Sequence, residues 1–186
     1  APFHPLFFEE PIRPENIEAW GQLKAKLAVP LATGESLYSR FEFLRLLQCA
    51  GADIIQPDVC VVGGLLEMRK IAAIAEAFYV PVAPHNPMGP LATAVNVHFA
   101  AACPNFKILE YRLPGSAAYL SENQLETEQE MSYVCDPYLP VDGHLELRPD
   151  QAGWGVKIDE TYLQTDNYIH WERKLPRRPD GSTAYT

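Results

Sequence analysis

Short apolar segments alternate along the chain with longer segments in which apolar residues recur every three or four positions. The short segments predict β-strands and the longer ones predict amphipathic helices. The predicted strands are residues 5–8, 29–32, 53–56, 79–83 and 106–109. The predicted helices are residues 14–27, 39–50, 65–78 and 90–102, with a short one at 159–163. This alternation is typical of βα units around a parallel sheet.

A glutamate, an aspartate or a histidine follows each of the five predicted strands, namely Glu9, Glu35, Asp58, His85 and Glu110. A (β/α) barrel places its catalytic groups at the C-terminal ends of its strands, on one face. We therefore expect an α/β fold of the TIM-barrel type with a site on that face. Five strands are fewer than the eight of a closed barrel, so we expect either preceding units or copies of the chain to cover the open edges.

The alternation stops after Arg112, and the remaining residues are rich in proline, polar residues and tyrosine. We interpret residues 1–112 as a partial barrel that carries the site. Residues 113–186 are interpreted as an irregular C-terminal extension that packs on the barrel. The chain begins at Ala1 and enters a strand almost at once, so we expect it to be part of a longer gene product.

The charge and the apolar content of the sequence argue against nucleic-acid and membrane partners. The formal net charge is −9 and no basic patch stands out, so we expect no nucleic-acid partner. No apolar run is long enough to span a bilayer and no secretory signal precedes the first strand, so we expect a cytoplasmic protein without a membrane partner. The four cysteines lack C-x-x-C spacing, which favours reduced, mostly buried thiols. The open sheet edges lead us to expect a homo-oligomer.

The two glutamates after the first two strands are candidate metal ligands. Glu9 and Glu35 end consecutive strands, so their carboxylates can converge above the sheet. Carboxylates with open positions suit Mg²⁺, a hard cation that keeps some of its waters. The alternative is that either residue caps the helix that follows it.

The next two strands end in a candidate acid/base pair. The carboxylate of Asp58 can accept a ring N–H from His85, which fixes the tautomer of the imidazole and raises its basicity. The alternative is a structural histidine in a polar loop. Glu110, in its protonated form, could donate a hydrogen bond to a substrate carboxylate. A salt bridge between Glu110 and Arg112 is the alternative for that residue.

Several motifs together resemble the enolase superfamily, in its mandelate racemase/muconate lactonizing enzyme subgroup. Within it the chain looks most like the acid-sugar dehydratases of the galactonate dehydratase type. The resemblance covers almost the whole chain, and it implies that the chain is the C-terminal portion of the barrel. It is carried by the Glu-Glu-Pro motif at residues 9–11 and by residues 31–43, 54–78, 82–101, 152–160 and 177–182.

The resemblance also implies roles for the site residues. Glu9 and Glu35 match two of the three acids that hold Mg²⁺ in that family, and the third acid and a second acid/base residue would come from strands before Ala1. Asp58 and His85 match the His-Asp dyad, and Glu110 matches the acid that hydrogen-bonds the substrate. Asn86 and Pro87 match the loop that lines the substrate pocket.

The activity implied is the Mg²⁺-assisted removal of an α-proton from a sugar acid, followed by loss of water to give a 2-keto-3-deoxy acid. His85 would protonate the departing hydroxyl group. Two alternatives stay open. One is a racemase or epimerase of the same superfamily, and the other is a half-barrel without catalytic activity.

Overall fold

The computed structural model of the chain describes residues 3–112, 133–164 and 177–182. Within these ranges the chain forms an α/β structure of short strands and longer helices. The strands are β1 (Phe8–Glu9), β2 (Leu31–Thr33), β3 (Ile54–Ile55), β4 (Val134–Cys135) and β5 (Lys157–Ile158). The helices are α1 (Ile17–Lys24), α2 (Arg40–Gln48), α3 (Leu65–Ala77), α4 (Pro90–Ala101) and α5 (Glu160–Leu163).

The first three strands form a parallel sheet in the order β1-β2-β3. Phe8 pairs with Leu31, and Ala32 pairs with Ile54. Each strand lies where the sequence predicts one, although its bounds are shorter or displaced. Because the three strands run in the same direction, the residues that follow them emerge at one end of the sheet.

The sheet continues beyond β3 through single pairs of residues. Val82 makes a parallel bridge to Ile55 on one side and to Phe106 on the other. The N–H of Val82 donates to the carbonyl oxygen of Asn105 at 2.8 Å, and the N–H of Lys107 donates to the carbonyl oxygen of Val82 at 2.8 Å. The predicted order of five parallel segments is therefore correct.

The predicted lengths of the fourth and fifth segments are wrong. Residues 79–83 and 106–109 do not form regular strands, and only isolated bridges hold them to the sheet. Tyr79 adopts a left-handed conformation with φ of 58° and ends the turn after α3, so it cannot extend a strand. Pro81 and Pro84 lack the N–H that a regular ladder requires.

Local hydrogen bonds determine where the first two helices begin. The side chain of Asn16 accepts the N–H of Ala19 at 3.2 Å at the start of α1. Ser39 and Glu42 form a capping box at the start of α2, in which each side chain accepts the backbone N–H of the other residue. The start of the helix predicted over residues 39–50 is therefore confirmed. A cap of this kind stabilises a helix by about 1 kcal/mol.

The main core lies between the helices and the sheet. Large side chains that are almost completely buried fill it, including Trp20 of α1, Phe43 of α2, and Met68 and Ile71 of α3. This layer fixes the helices behind the strands. It therefore also fixes the turns from which the polar residues at the strand ends project.

The described part of the C-terminal segment packs on the last helix of the partial barrel. Tyr138 is buried against Ala94 and Val97 of α4, and its carbonyl oxygen accepts the hydroxyl of Tyr111 at 2.8 Å. Residues 133–158 also contain the antiparallel pair β4-β5. The division at residue 112 stays a prediction, because residues 113–132 lie outside the described residues.

The expectation of mostly buried thiols is wrong. All four cysteines are free, Cys49 and Cys103 are half-buried, and Cys60 and Cys135 are exposed. Cys60 lies in the turn after β3 and Cys135 lies in a two-residue strand, so neither reaches the core. Among the described helices, none has the length and apolar character needed to cross a bilayer.

Candidate active site

A histidine and an aspartate form a close pair where the third and fourth sheet segments end. Asp58 and His85 are themselves partners in a parallel bridge. Nδ1 of His85 lies 2.8 Å from Oδ2 of Asp58, which is 1% exposed. The other oxygen of Asp58 accepts the N–H of Cys60 at 2.7 Å. Because a carboxylate only accepts, the proton of this contact lies on Nδ1 of His85 and Nε2 is left for other partners.

A glutamate lies beside the other ring nitrogen of His85, the one that does not contact Asp58. Oε2 of Glu35 is 3.3 Å from Nε2 of His85. Glu9, with Gln56, Ala83 and Glu110, lines a cavity of about 290 Å³. Glu35 lines a second cavity, with Glu10 and Glu42. The charges of His85, Glu9 and Glu110 act on Glu35, so these residues at the segment ends lie near one another.

Burial and the neighbouring carboxylates together raise the pKa values of Glu9 and Glu35. Burial raises the pKa of Glu9, and the charge of Glu110 raises it further. Burial also raises the pKa of Glu35, against the opposing charge of His85 and with the help of the charges of Glu10, Glu9 and Glu110. A cluster of carboxylates whose pKa values rise in this way favours the approach of a cation.

The same negative charges also raise the pKa of the histidine, against the effect of burial. Burial alone would lower the pKa of His85. The hydrogen bond to Asp58 and the charges of Glu35 and Glu110 outweigh burial, so the net effect is a pKa above the usual value. His85 is thus held in a setting that favours the imidazolium, which is the form able to donate a proton from Nε2.

The alternative in which Glu9 or Glu35 caps the next helix is wrong. Asn16 caps α1 and Ser39 caps α2 through their own side chains. Glu35 instead follows Gly34, whose φ of 142° turns the chain at the end of β2.

Glu110 is held by the residue next to the histidine. The backbone N–H of Asn86 donates to Oε2 of Glu110 at 2.9 Å, and the side-chain amide of Asn86 donates to the carbonyl oxygen of Glu110 at 3.0 Å. Pro87 follows as a half-buried residue of the loop that leads to α4. The structure thus gathers all seven residues of the predicted site into neighbouring segments.

Comparison with known families gives this geometry a context. Residues 1–162 match the family described as enolase C-terminal domain-like. The chain belongs to this enolase-like family. The predicted fold class, an α/β chain corresponding to the C-terminal portion of a TIM-type barrel, is confirmed by this match and by the solved relatives.

Several members of the family are similar over nearly the whole chain. A D-galactonate dehydratase from Xanthomonas oryzae pv. oryzae is 38% identical over 187 aligned residues, which cover 98% of this chain and 47% of the relative. A crystal structure of a candidate galactarate dehydratase from Agrobacterium radiobacter, with bound sodium and L-malate, is 63% identical and has a TM-score of 0.89. It is matched over 100% of this chain and 48% of its own length.

A mandelate racemase/muconate lactonizing enzyme from Jannaschia sp. CCS1 is 32% identical, with a TM-score of 0.76, over 92% of this chain and 41% of its own. The chain therefore spans about half the length of the relatives that it matches. The resemblance to the mandelate racemase/muconate lactonizing enzyme subgroup is confirmed.

Members of the enolase superfamily generally use Mg²⁺, and the acids of this chain fit that ion in part. Glu9 and Glu35 offer oxygen donors beside further carboxylates that raise their pKa values, which fits a hard divalent cation. Within residues 3–112, 133–164 and 177–182, however, no three His, Cys, Asp or Glu side chains are arranged to hold a metal ion by themselves. The oxygen donors of Glu9 and Glu35 are therefore of the type that Mg²⁺ prefers, but the described residues do not supply a complete set of ligands.

Sequence reasoning missed the polar residues that surround these groups. Glu10 accepts hydrogen bonds from the Thr33 hydroxyl at 2.6 Å and from the N–H of Gly34 at 3.3 Å. Gln56 is 4% exposed and its side-chain hydrogen bond lowers the pKa of Glu9. The positions of Glu10 and Gln56 in the sequence could have indicated this role. Each lies in or directly after a buried apolar strand, where a polar side chain requires a hydrogen-bond partner.

Proposed function

We propose that the complete protein is a Mg²⁺-dependent sugar-acid dehydratase. The observation that carries the proposal is the pair His85–Asp58, in which Nδ1 of His85 contacts Asp58 while Nε2 lies 3.3 Å from Oε2 of Glu35. The family membership and the relatives described as dehydratases support the same reaction. The substrate is a sugar acid with an α-proton and a β-hydroxyl group.

Glu9 and Glu35 would hold the ion, together with a ligand that the resemblance places before residue 1. Mg²⁺, when bound, stabilises the negative charge that develops on the substrate's carboxyl group as the α-proton leaves. Glu110 accepts the N–H of Asn86 at one oxygen and, in its protonated form, would donate from the other oxygen to the same carboxyl group. Glu110 and the ion held by Glu9 and Glu35 would thus bind one end of the substrate.

His85 would act on the hydroxyl group at C3 of the substrate, next to the carbon that loses the α-proton. The α-proton at C2 passes to a base that the resemblance also places before residue 1, and the C3–oxygen bond then breaks. Nε2 of His85 gives its proton to the departing hydroxyl group, which leaves as water, and the resulting enol becomes the 2-keto-3-deoxy acid. Asp58 keeps the ring oriented and stabilises its charged form.

The names of the relatives support acids of the galactose series as the proposed substrates. The sequence resemblance favours D-galactonate, and the relative that is 63% identical favours the dicarboxylic acid galactarate. We place galactarate first, because that relative is the more similar one, and D-galactonate second.

The proposal is tested on the complete protein with Mg²⁺ and each acid in turn. Formation of a 2-keto-3-deoxy acid with release of water is the expected result. Deuterium incorporation at C2 from heavy water without loss of water would replace the dehydratase with an epimerase. No turnover of either acid and no exchange would favour a protein without this catalytic activity.

A single substitution tests the assignment of the proton donor. His85→Asn should lower turnover by about 10²–10⁴-fold, because a positioned proton donor contributes a factor of that size. Mg²⁺ binding measured by calorimetry should be retained. The matched control is His144→Asn, since His144 lies in an exposed turn where its Nδ1 contacts the carbonyl oxygen of Asp142. Equal turnover in the two variants would remove His85 from the mechanism.

A further inference from the structure

Asn86 holds Glu110 at both ends of that residue. The backbone N–H of Asn86 donates to the carboxylate of Glu110, while its side-chain amide donates to the backbone carbonyl of Glu110, at 2.9 Å and 3.0 Å. The two contacts fix the backbone and the carboxylate together. A side chain held at both ends has little freedom to turn away from the site.

The amide group of Asn86 is itself held from helix α4. Its Nδ2 also donates to the hydroxyl of Thr93 at 3.0 Å, and its Oδ1 accepts from Nδ2 of Asn96 at 2.9 Å. Asn86 is 2% exposed and Asn96 is completely buried. Thr93 and Asn96 are three positions apart, so both project from the same face of α4.

Chemistry fixes the orientation of both amides. The backbone carbonyl of Glu110 can only accept, so the group of Asn86 that faces it must be the NH₂. The oxygen of Asn86 then faces Asn96, which must donate. The oxygen of Asn96 has no hydrogen-bond partner among the described residues, so Asn96 contributes to this network only as a donor.

We propose that Asn96 is a positioning residue which, through Asn86, holds Glu110 and the adjoining His85 in their places for the reaction. This proposal rests on the proposed function, because the positions of Glu110 and His85 matter for catalysis only if the protein carries out that reaction. It assigns helix α4, and not only the strand ends, a part in arranging the site. No described contact of Asn96 reaches the cavity that Glu9 and Glu110 line.

The proposal also changes the role of Asn86. The sequence predicted that Asn86 contacts the substrate, and that role stays a prediction for its backbone carbonyl, since its N–H donates to Glu110. Its side chain has both polar atoms engaged within the protein. We assign the side chain to the network, because a contact with substrate would require breaking a buried hydrogen bond.

The test uses the complete protein with Asn96→Leu, which keeps the approximate size of the side chain and removes the donor. Two measurements are made. Amide hydrogen exchange, resolved by mass spectrometry, follows the N–H of Asn86 relative to amides of α3. NMR in heavy water follows the ratio of deuterium exchange at C2 to dehydration, with galactarate or D-galactonate as the substrate.

We expect exchange at Asn86 to increase by more than 10-fold while the amides of α3 change little, because only the local contact is lost. Dehydration should fall by about 100-fold, the effect of displacing a reacting group by about 1 Å. Exchange at C2 should fall less than dehydration, since a displaced His85 delays the departure of the hydroxyl group. The ratio of exchange to dehydration therefore rises.

Asn105→Leu is the matched control. Nδ2 of Asn105 donates to the carbonyl oxygens of Ala72 and Val80 at 3.1 Å and 3.0 Å, at the opposite end of the sheet. This variant should lose thermal stability without a change in the ratio. Asn96→Asp, which keeps the shape of the side chain but replaces the donor with an acceptor, serves if Asn96→Leu does not fold.

Two results would overturn the positioning role. One is a ratio of exchange to dehydration that stays unchanged in Asn96→Leu, as is expected for the control Asn105→Leu. The other is exchange at Asn86 that rises no more than exchange in α3. Failure of the proposed function is recognised separately, because the unmodified protein would then dehydrate neither acid. In that case, faster hydrogen exchange at Asn86 than at the amides of α3 in Asn96→Leu would still support the conclusion that Asn96 holds Glu110 in place through Asn86.

Discussion

The carboxylate of Glu10 accepts a hydrogen bond from the Thr33 hydroxyl at 2.6 Å and so joins the end of β1 to the end of β2. Its neighbour Glu9 lines the cavity shared with Glu110. Two adjacent glutamates are therefore divided between two tasks, one facing the site and the other supporting the turn that carries Glu35.

This division predicts unequal effects on metal binding. Glu9→Gln should weaken Mg²⁺ binding to the complete protein by at least about 10-fold, because a neutral amide replaces an anionic donor. Glu10→Gln should weaken it by a smaller factor, since the amide oxygen can still accept the Thr33 hydroxyl. Calorimetric titration of the two variants measures both effects. A larger loss in Glu10→Gln than in Glu9→Gln would contradict the assignment.

The turn after β2 depends on a glycine. Gly34 has φ of 142°, and a Cβ atom there would lie 2.8 Å from Cε1 of Phe43 and 2.9 Å from the backbone nitrogen of Gln56. We expect Gly34→Ala to lower the free energy of unfolding by about 3 kcal/mol, through strain combined with overpacking. It should also weaken Mg²⁺ binding, because Glu35 is the next residue.

Gly64→Ala separates the two causes. Gly64 also has a positive φ, of 98°, but a Cβ atom there would meet no atom within 4 Å. This variant should cost about 1 kcal/mol by strain alone and leave Mg²⁺ binding unchanged. Denaturant unfolding and calorimetry compare the two. Equal costs would mean that the contacts with Phe43 and Gln56 do not matter.

Cys60, an exposed residue two positions after Asp58, has a thiol of altered acidity. Partial burial of the thiol raises the pKa of Cys60, and the charge of Asp58 raises it further above the ordinary value of 9.0. A raised pKa leaves less thiolate at a given pH, so iodoacetamide should modify Cys60 more slowly than a free thiol at about pH 8. Mass spectrometry over a range of pH measures the midpoint.

Asp58→Asn should lower the pKa of Cys60 toward its ordinary value and speed the modification several-fold at the same pH, since the burial remains but the charge is removed. Asp150→Asn, at an exposed position, is the control and should change nothing. A midpoint at or below 9.0 in the unmodified protein would contradict the expectation.

The positions of the candidate site residues could be predicted because they follow directly from the chain's alternation. Each of Glu9, Glu35, Asp58, His85 and Glu110 comes after an apolar segment, and parallel segments bring their C-terminal ends together. The predicted order of the segments is correct for this reason. Their roles depend on a bound substrate and ion, and they stay predictions.

The support around the site could not be predicted to the same extent. The hydrogen bond between Asn86 and Asn96 depends on how α4 packs on the loop before it, and periodicity does not fix that packing. The lengths of the strands were overestimated because apolar segments signal burial more directly than they signal pairing. Residues 79–83 are an example, since prolines interrupt their ladder.

The parallel bridge between Asp58 and His85 has a consequence for motion at the site. The two residues are joined through the backbone as well as through their side chains, so Asp58 and His85 would move together and not separately. Glu35 has no such bridge to the dyad among the described residues and depends on the turn at Gly34. Adjustment to substrates of different length would therefore occur first at Glu35, while the two residues of the dyad keep their spacing.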